Sequence, residues 1–299
     1  MSYMREKYGL GYTFAFVPDM QLETKTYPAT LTAQFTMLAN RGAALGVQMV
    51  LNAGDLVDTL ANDTEWDRAS AAYDLLDAVN MPYLVSTGNH DYDADNNRAH
   101  TDFDQRFPTT RFTSKSWWNG GFCEAGHAEN AYCFIGGILY IILEFGPRQA
   151  VVDWANAILT ANASIPAVIS THSFLYRDGT TAGTGDTYEA HSYFTEDVHN
   201  GAELWTELVK LHNNIILVCC GHDIAGDAIN GVVVKRADNS DGGSIVNQCL
   251  VNFQEIANGG NGYTRFYKIQ PAARIIKAVT VSYDVGVKAD AANQFAVAY

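Results

Sequence analysis

The tetrapeptide Gly88-Asn89-His90-Asp91 places an amide, an imidazole and a carboxylate together at one turn. It follows a short apolar run, residues 81–85, of the kind that forms a buried strand. In α/β proteins, ligands bind beyond the carboxyl ends of the strands. An amide oxygen can ligate a hard metal ion, and an imidazole can ligate a metal or donate a proton to a leaving group. We therefore take this turn as the first candidate for an active site.

Polar side chains also follow four other predicted strands. These residues are Asp19, Asp55, His172 and His222. The ends of neighbouring parallel strands lie about 5 Å apart, so residues distant in sequence can meet there. Carboxylate, amide and imidazole together suit a divalent metal of intermediate hardness, such as Mn, Fe or Zn. A carboxylate shared by two cations would allow a two-metal site. In such a site the two cations hold both the attacking and the leaving oxygen of a phosphoryl displacement.

The elements that must position these residues can be predicted from apolar runs and helix signals. In the first part of the chain, strands at 12–17, 47–51 and 81–85 alternate with helices at 28–44 and 63–79. This order predicts a mostly parallel sheet. Further strands are expected at 132–135, 138–143, 167–170, 215–220, 245–253, 263–269 and 275–283, with helices at 147–161 and 202–212.

We predict one domain over residues 1–299, of the α/β class and with two sheets. Two long polar segments, 92–130 and 176–199, are expected to be loops near the site, because long loops within a compact domain are usually functional. Gly136-Gly137 between two strands predicts a hairpin.

Composition and charge exclude several classes of protein. The chain has 299 residues, 47% of them hydrophobic, and a formal net charge of −14. Such a charge argues against a surface that binds nucleic-acid backbones. No apolar run is long enough to span a bilayer. Residues 1–11 lack the apolar core of a signal peptide, so we expect export only if a signal was removed and a cytoplasmic location otherwise.

The five cysteines are not arranged as a thiolate metal site, since no Cys-x-x-Cys pair occurs. Cys219, Cys220 and Cys249 lie in apolar runs and are expected to be buried thiols. Cys123 and Cys133 flank a loop and could form a disulfide.

The order of the polar motifs resembles that of the calcineurin-like metallophosphoesterases. That family carries Asp-x-His, Gly-Asp, Gly-Asn-His, a lone His and Gly-His-x-His. This chain has Asp19-x-Gln21, Gly54-Asp55, Gly88-Asn89-His90, His172 and Gly221-His222 in the same order. The resemblance implies a four-layer α/β/β/α sandwich of two mixed sheets. It also implies a metal-dependent phosphoesterase that acts on a small phosphorylated substrate, either a monoester or a diester.

The resemblance also implies roles for individual residues. Asp55 would bridge two metals, and Asn89, His172 and His222 would complete one of the two sites. Asp19 would belong to the other site. The nucleophile would be a metal-bound hydroxide.

At the catalytic turn, the resemblance implies that His90 contacts the phosphate and protonates the leaving oxygen, helped by Asp91. Trp117 and Asn130, in the segment that follows this turn, are expected to line the substrate pocket. Glu144 and Arg148 could either touch substrate or form a structural ion pair. Other histidines, including His100 and His127, are expected to be surface residues rather than ligands.

Two departures from the family pattern fall on one metal site. Gln21 replaces the histidine of the first motif, and Ile224 replaces the final histidine of the last. Glutamine can ligate through oxygen, whereas isoleucine cannot. We therefore expect one intact site and one weakened site that prefers harder ions such as Mg, Mn or Ca. Asp223 or Asp227 could substitute, although Asp223 neighbours a ligand and would point away in an extended segment.

An alternative hypothesis is a metal-binding, catalytically weak relative that acts as a binding protein for a carbohydrate or a surface ligand. Ile224 favours this alternative, whereas the presence of His90 favours catalysis.

Overall fold

The computed structural model describes residues 12–93, 98–224 and 229–299. The first of its two sheets contains three parallel strands that come first in the chain, joined to antiparallel strands from the chain's last part. Its strands are β1 (Tyr12–Phe16), β2 (Val47–Asn52), β3 (Tyr83–Val85), β11 (Tyr263–Gln270), β12 (Ile275–Ser282), β13 (Gly286–Lys288) and β14 (Gln294–Ala298). The order is β13-β12-β11-β1-β2-β3, with β14 also paired to β12.

The second sheet is also mixed. Its strands are β4 (Gly121–Phe122), β5 (Ala131–Ile135), β6 (Ile138–Leu143), β7 (Ala167–Thr171), β8 (Ile215–Cys220), β9 (Val232–Asn239) and β10 (Ile245–Asn252). They lie in the order β4-β5-β6-β7-β8-β10-β9, and the central strands β6, β7, β8 and β10 are parallel. The predicted hairpin joins β5 to β6, and Gly136 and Gly137 both have positive φ there.

Helices lie outside the two sheets. They are α1 (Gln21–Lys25), α2 (Pro28–Leu45), α3 (Asp63–Ala78), α4 (Thr101–Arg106), α5 (Thr109–Thr113), α6 (Gln149–Ala161), α7 (Gly201–Glu207) and α8 (Ala257–Gly260). Short 3₁₀ turns occur at Ala190–Ser192, Val209–Leu211 and Pro271–Ala273.

Three apolar layers hold the sheets and helices together. The alternation of β1 sends Phe14 and Phe16 into the layer between the sheets and Ala15 into the layer under α2 and α3. Phe14 meets Tyr140 of the facing sheet at 5.6 Å between ring centroids. A third layer packs α6 and α7 on the outer face of the second sheet. The arrangement of helices, sheet, sheet and helices confirms the predicted fold class.

The structure differs from the sequence-based expectation in several elements. β9, β13 and β14 were not predicted. β9 lies at a sheet edge and carries charged residues, as edge strands often do, so its apolar signal is weak. The segment 92–130 holds α4, α5 and β4 rather than being a simple loop. The division into a single domain stays a prediction.

All five cysteines are described, and all are free. Cys123 and Cys133 therefore do not pair in this structure, while Cys219, Cys220 and Cys249 are buried as predicted. Among the described residues, no helix combines the length and apolar character needed to cross a membrane.

Candidate active site

The polar residues that follow five strands meet at one edge of the two sheets. His172, directly after β7, places its Nε2 atom 3.2 Å from Asp55 Oδ1 and 3.1 Å from Asn89 Oδ1. The same nitrogen lies 3.1 Å from His222 Nδ1. The second sheet thus supplies two imidazoles, and the first supplies a carboxylate and an amide. All four predicted ligands of the intact site are brought together.

His222 is oriented for ligation by a backbone group. Its Nε2–H donates to the Tyr188 carbonyl at 2.7 Å, which leaves the lone pair of Nδ1 directed toward His172. Partners of this kind fix the tautomer of metal-binding histidines. Desolvation and the neighbouring His172 lower the pKa of His222 to about 3, so its ring is neutral, as a ligand must be. Tyr188 lies in the segment 176–199, so this segment contacts His222.

Asp19 is buried next to this group. Its Oδ1 accepts the His222 backbone N–H at 2.8 Å, whereas Oδ2 is buried and has no hydrogen-bond partner among the described residues. Burial and the negative charge of Asp55 raise its pKa well above the usual value. A Cβ at position 221 would lie 2.0 Å from Oδ2, so only glycine fits there. A cation would satisfy this oxygen and relieve the repulsion between the carboxylates.

Gln21 contacts the carboxylate that is predicted to bridge two metals. Its Nε2 donates to Asp55 Oδ2 at 2.8 Å. Its Oε1 is buried and lacks a partner in the described part of the chain. The residue is therefore next to Asp55, where it can hold that carboxylate in place or offer an oxygen to a cation.

The backbone is unusual at three of these positions. Asp19, Asp55 and His222 have φ values of 35°, 53° and 70°. Positive φ is uncommon outside glycine, and such outliers gather at functional sites where surrounding contacts hold them. Here they turn the chain sharply at each strand end, so that the side chains face one another.

His90 lies at the rim of the metal-ligand group. Its backbone N–H donates to Asp55 Oδ1 at 3.2 Å, and its ring Nδ1–H donates to the Asp58 carbonyl at 2.8 Å. With Nδ1 held in this way, Nε2 is the nitrogen that carries the second proton of the charged imidazole. The charge of Asp55, opposed by burial, raises the pKa of His90 above its usual value.

Asp91 accepts three backbone hydrogen bonds, and its charge adds to that of Asp55 in raising the pKa of His90, while its help in proton transfer stays a prediction. Its Oδ1 accepts the backbone N–H groups of Leu56 at 2.8 Å and Val57 at 3.2 Å, and its Oδ2 accepts that of Gly88 at 2.7 Å. Burial, followed by the charge of Asp55, raises its pKa to about 8. Asp91 therefore ties the loop after β2 to the turn after β3 and positions both.

Two aromatic residues form a wall that sequence reasoning did not assign. The buried ring of Phe145 lies 5.4 Å from the ring of His172 and 5.1 Å from that of His222. Tyr193 lies 5.1 Å from Phe145 and 5.9 Å from His222. These rings shield the imidazoles from water on that side. The position of Phe145 shortly after β6 is the only signal that could have suggested its role.

The contacts described for Asn130 and Trp117 are with residues other than the candidate metal ligands. Asn130 uses both ends of its amide on Glu144: Nδ2 donates at 3.0 Å to the side chain, and Oδ1 accepts the backbone N–H at 2.8 Å. Trp117 packs 6.1 Å from Tyr83, the first residue of β3, at the end opposite the catalytic turn. A substrate contact by either residue stays a prediction.

Asp223 is engaged elsewhere, consistent with the expectation that it points away. Its Oδ2 accepts the Arg177 backbone N–H at 2.6 Å, and its Oδ1 accepts that of Ile224 at 3.0 Å. It is therefore not available as a substitute ligand in this arrangement. Asp227 lies outside the described residues.

Glu144 and Arg148 form the structural ion pair that was one of two expectations for them. Arg148 Nε lies 2.9 Å from Glu144 Oε1, and Arg98 Nη1 lies 3.4 Å from the same oxygen. Burial alone would raise the pKa of Glu144, but the hydrogen bond from Arg148 and the charges of both arginines outweigh it and lower that pKa.

Glu144→Gln is expected to destabilise the fold by about 2 kcal/mol, because it removes the buried carboxylate that Arg98 and Arg148 share and leaves them only the more exposed acids Glu196 and Glu124. The folded pKa of Glu144 is depressed, so its stabilising effect is present above its usual value of 4.5 and is lost as the pH falls through the folded value. Urea unfolding between pH 3 and 7 would measure this. The variant should show a shallower acid loss than the native chain, and equal slopes would contradict the assignment.

The chain is similar in sequence to one curated protein. A relative from Bacillus subtilis (strain 168), the uncharacterized protein YvnB, is 24% identical over 277 residues, which cover 91% of this chain. The chain spans only 20% of the length of that relative.

Among solved structures, the purple acid phosphatase PPD1 from yellow lupin seeds matches with a TM-score of 0.59 at 10% identity, over 97% of this chain and 54% of that one. GAP50, described as the anchor in the inner membrane complex of Plasmodium, matches with a TM-score of 0.50 at 13% identity, over 97% and 89% of the two chains. At these identities the likeness shows the fold alone.

The family model described as calcineurin-like phosphoesterase matches residues 12–226, more than half of the chain. This match covers every strand end that contributes to the site. Together with the two mixed sheets and the convergent ligands, it shows that the chain belongs to the calcineurin-like phosphoesterase family.

Proposed function

We propose that this protein is a metal-dependent hydrolase of phosphomonoesters or phosphodiesters, with His90 as the general acid. One observation carries the proposal. His172 Nε2 lies 3.1 or 3.2 Å from one ligand atom of each of three other residues, namely the Asp55 carboxylate, the Asn89 amide and the His222 imidazole. Among the described residues, Asp55, His172 and His222 also form a group whose ligand atoms lie within 4.8 Å of one another.

The donor set fits divalent cations. Two imidazole nitrogens with a carboxylate and an amide oxygen favour Mn, Fe or Zn at the intact site. One oxygen of Asp19 and one of Gln21 have no partner in the described part of the chain, and these oxygens suit a harder ion such as Mg, Mn or Ca beside it. Cations bound here would lower the pKa of a coordinated water and offset the charge of a phosphate.

The residues of the chain would do the remaining work. His90, fixed by the Asp58 carbonyl, would hand its Nε2 proton to the leaving oxygen of the ester. Asp91 would hold the two turns at the correct separation through its three backbone contacts. Phe145 would exclude bulk water from the imidazoles, which strengthens electrostatic contacts at the site.

The proposal is tested by assaying aryl-phosphate and bis-aryl-phosphate hydrolysis in separate buffers that contain Mn, Mg, Ca or Zn. We expect turnover of at least one ester, stimulated by at least one metal and removed by chelation. A folded protein that binds metal stoichiometrically and hydrolyses neither ester would overturn the catalytic proposal.

The second candidate is a metal-binding protein with little catalysis that recognises a carbohydrate or surface ligand. The loss of a ligand at Ile224 favours it, and the matching fold of GAP50, described as an anchor, is compatible with it. The core position of Trp117 weakens the case for an aromatic carbohydrate platform. The location of the protein, exported or cytoplasmic, stays a prediction.

Ile224→His restores the imidazole that the family carries at this position. We expect it to raise metal affinity at the weakened site by about 10-fold or more, because a nitrogen ligand replaces an apolar side chain. Calorimetric titration with Mn²⁺ would measure this, with Ile224→Leu as the matched control. An unchanged affinity and stoichiometry would count against assigning position 224 to that site.

A further inference from the structure

A second group of metal-binding side chains lies outside the active site. It consists of His100, Asp104, His127 and Glu129, called here the histidine–carboxylate cluster. One nitrogen or oxygen from each residue can be chosen so that all four atoms lie within 4.8 Å of one another. Asp104 Oδ2 is 3.2 Å from His100 Nδ1 and 3.0 Å from His127 Nδ1. Glu129 Oε1 is 3.5 Å from His100 Nε2.

Local structure brings the four residues together. His100 is the residue before α4 and Asp104 lies one turn further on, so both occupy the same side of that helix. His127 and Glu129 are two residues apart in the segment between β4 and β5, which brings both side chains to α4. The cluster therefore joins α4 to the approach of β5.

Two carboxylate oxygens of this cluster are buried and have no hydrogen-bond partner among the described residues. They are Asp104 Oδ1 and Glu129 Oε2, and Glu129 is 0% exposed. Leaving buried oxygens unpaired is costly, so a cation that contacts them would stabilise the cluster. The side chain of His100 is only 11% exposed, which differs from the surface position expected for it.

From these contacts we infer that the histidine–carboxylate cluster is a zinc site, separate from the active site. Two imidazoles and two carboxylates provide four ligands, which is the number that a structural zinc ion takes. With bonds of about 2.0–2.2 Å, tetrahedral ligand atoms lie about 3.3–3.6 Å apart. Asp104 Oδ2 lies 3.2 Å from His100 Nδ1 and 3.0 Å from His127 Nδ1, which is already near this spacing. The cluster shares no residue with the active-site group.

Because of where the cluster lies, a zinc ion bound to it would have a structural role. The Glu129 carbonyl accepts a hydrogen bond from Ser86 Oγ at 2.7 Å, and Ser86 begins the loop that carries Asn89 and His90. The His100 ring also lies 6.4 Å from the ring of Tyr92, just beyond that loop. Zinc at this cluster would fasten α4 and the segment before β5 beneath the catalytic turn.

The test uses the full chain with His172→Ala and His222→Ala, which remove the active-site imidazoles. This background should bind one equivalent of Zn²⁺ by calorimetry, and Co²⁺ in its place should give the visible absorption of a tetrahedral site. Adding His127→Ala or Glu129→Gln should abolish both signals. His127 is a safe position to change, because its side chain is 42% exposed.

His191→Ala is the matched control, since His191 also pairs with a carboxylate, Glu203 at 2.7 Å, and is 35% exposed. It should keep the zinc equivalent. If the double-variant background does not fold, zinc counted in the otherwise native chain should fall by one equivalent on His127→Ala. Two results would overturn the inference: no zinc binding in a folded background, or binding that survives both cluster substitutions. Either result would mean that the cluster holds a shared proton rather than zinc.

Discussion

Asp55→Asn is expected to lower kcat/KM for an aryl phosphate by about 10³-fold or more, equivalent to about 4 kcal/mol of transition-state stabilisation. Asp55 lies at the centre of the site. Its Oδ1 lies 3.2 Å from His172 Nε2 and accepts the His90 backbone N–H, while its Oδ2 accepts from Gln21. Replacing the carboxylate removes the charge that binds a cation and also perturbs the hydrogen bonds that position these neighbours.

Metal content and steady-state rates would be measured on the same preparations. Asp74→Asn is a suitable control, because Asp74 lies on α3, is mostly exposed and pairs with Arg111. It should change kcat/KM less than about two-fold, as expected for a surface substitution. If Asp55→Asn kept both its metal content and its rate, Asp55 could not be the central ligand.

His90→Ala is expected to lower kcat by about 10²- to 10⁴-fold without loss of metal, because general acid catalysis contributes on that scale. The hydrogen bond described for the ring is to the Asp58 carbonyl and not to a candidate ligand, so we expect little change in metal affinity. The loss should be larger for alkyl esters than for nitrophenyl esters, since a poor leaving group depends more on protonation.

A series of phosphate esters with leaving groups of increasing pKa would measure this dependence. The rates of the variant should fall more steeply with leaving-group pKa than those of the native enzyme. His191→Ala again serves as the control. Parallel dependences in the two proteins, or a loss of bound metal in His90→Ala, would show that His90 acts in another way.

The fold and the meeting of the candidate ligands could be predicted because their signals are local in sequence. Each candidate ligand follows an apolar strand directly, and the ends of parallel strands meet at one edge. The sequence alone thus predicts that five residues lie together, namely Asp19, Asp55, Asn89, His172 and His222. Among the core strands, the apolar runs of β6, β7 and β8 were equally clear.

Other features depend on contacts that no local pattern reveals. The carbonyls of Tyr188 and Asp58 orient His222 and His90, but a backbone carbonyl carries no residue signature. Trp117 follows the catalytic turn in sequence yet packs against the opposite end of β3, because α4 and α5 fold that segment back over the core.

The histidine–carboxylate cluster was not predicted for a related reason. Its two halves are separated by α5 and β4, and each half alone has the polar character of a surface segment. Only the tertiary fold shows that Glu129 and His100 are buried together.

The most direct test of the active-site assignment is anomalous scattering from crystals grown with Mn²⁺ and a substrate-mimicking phosphate. We expect a strong peak within bonding distance of Asp55 Oδ1, Asn89 Oδ1, His172 Nε2 and His222 Nδ1, with the phosphate between that peak and His90. A weaker second peak is expected at Asp19. A crystal of hydrolytically active protein with no peak among the first four atoms would show that these residues do not bind the metal.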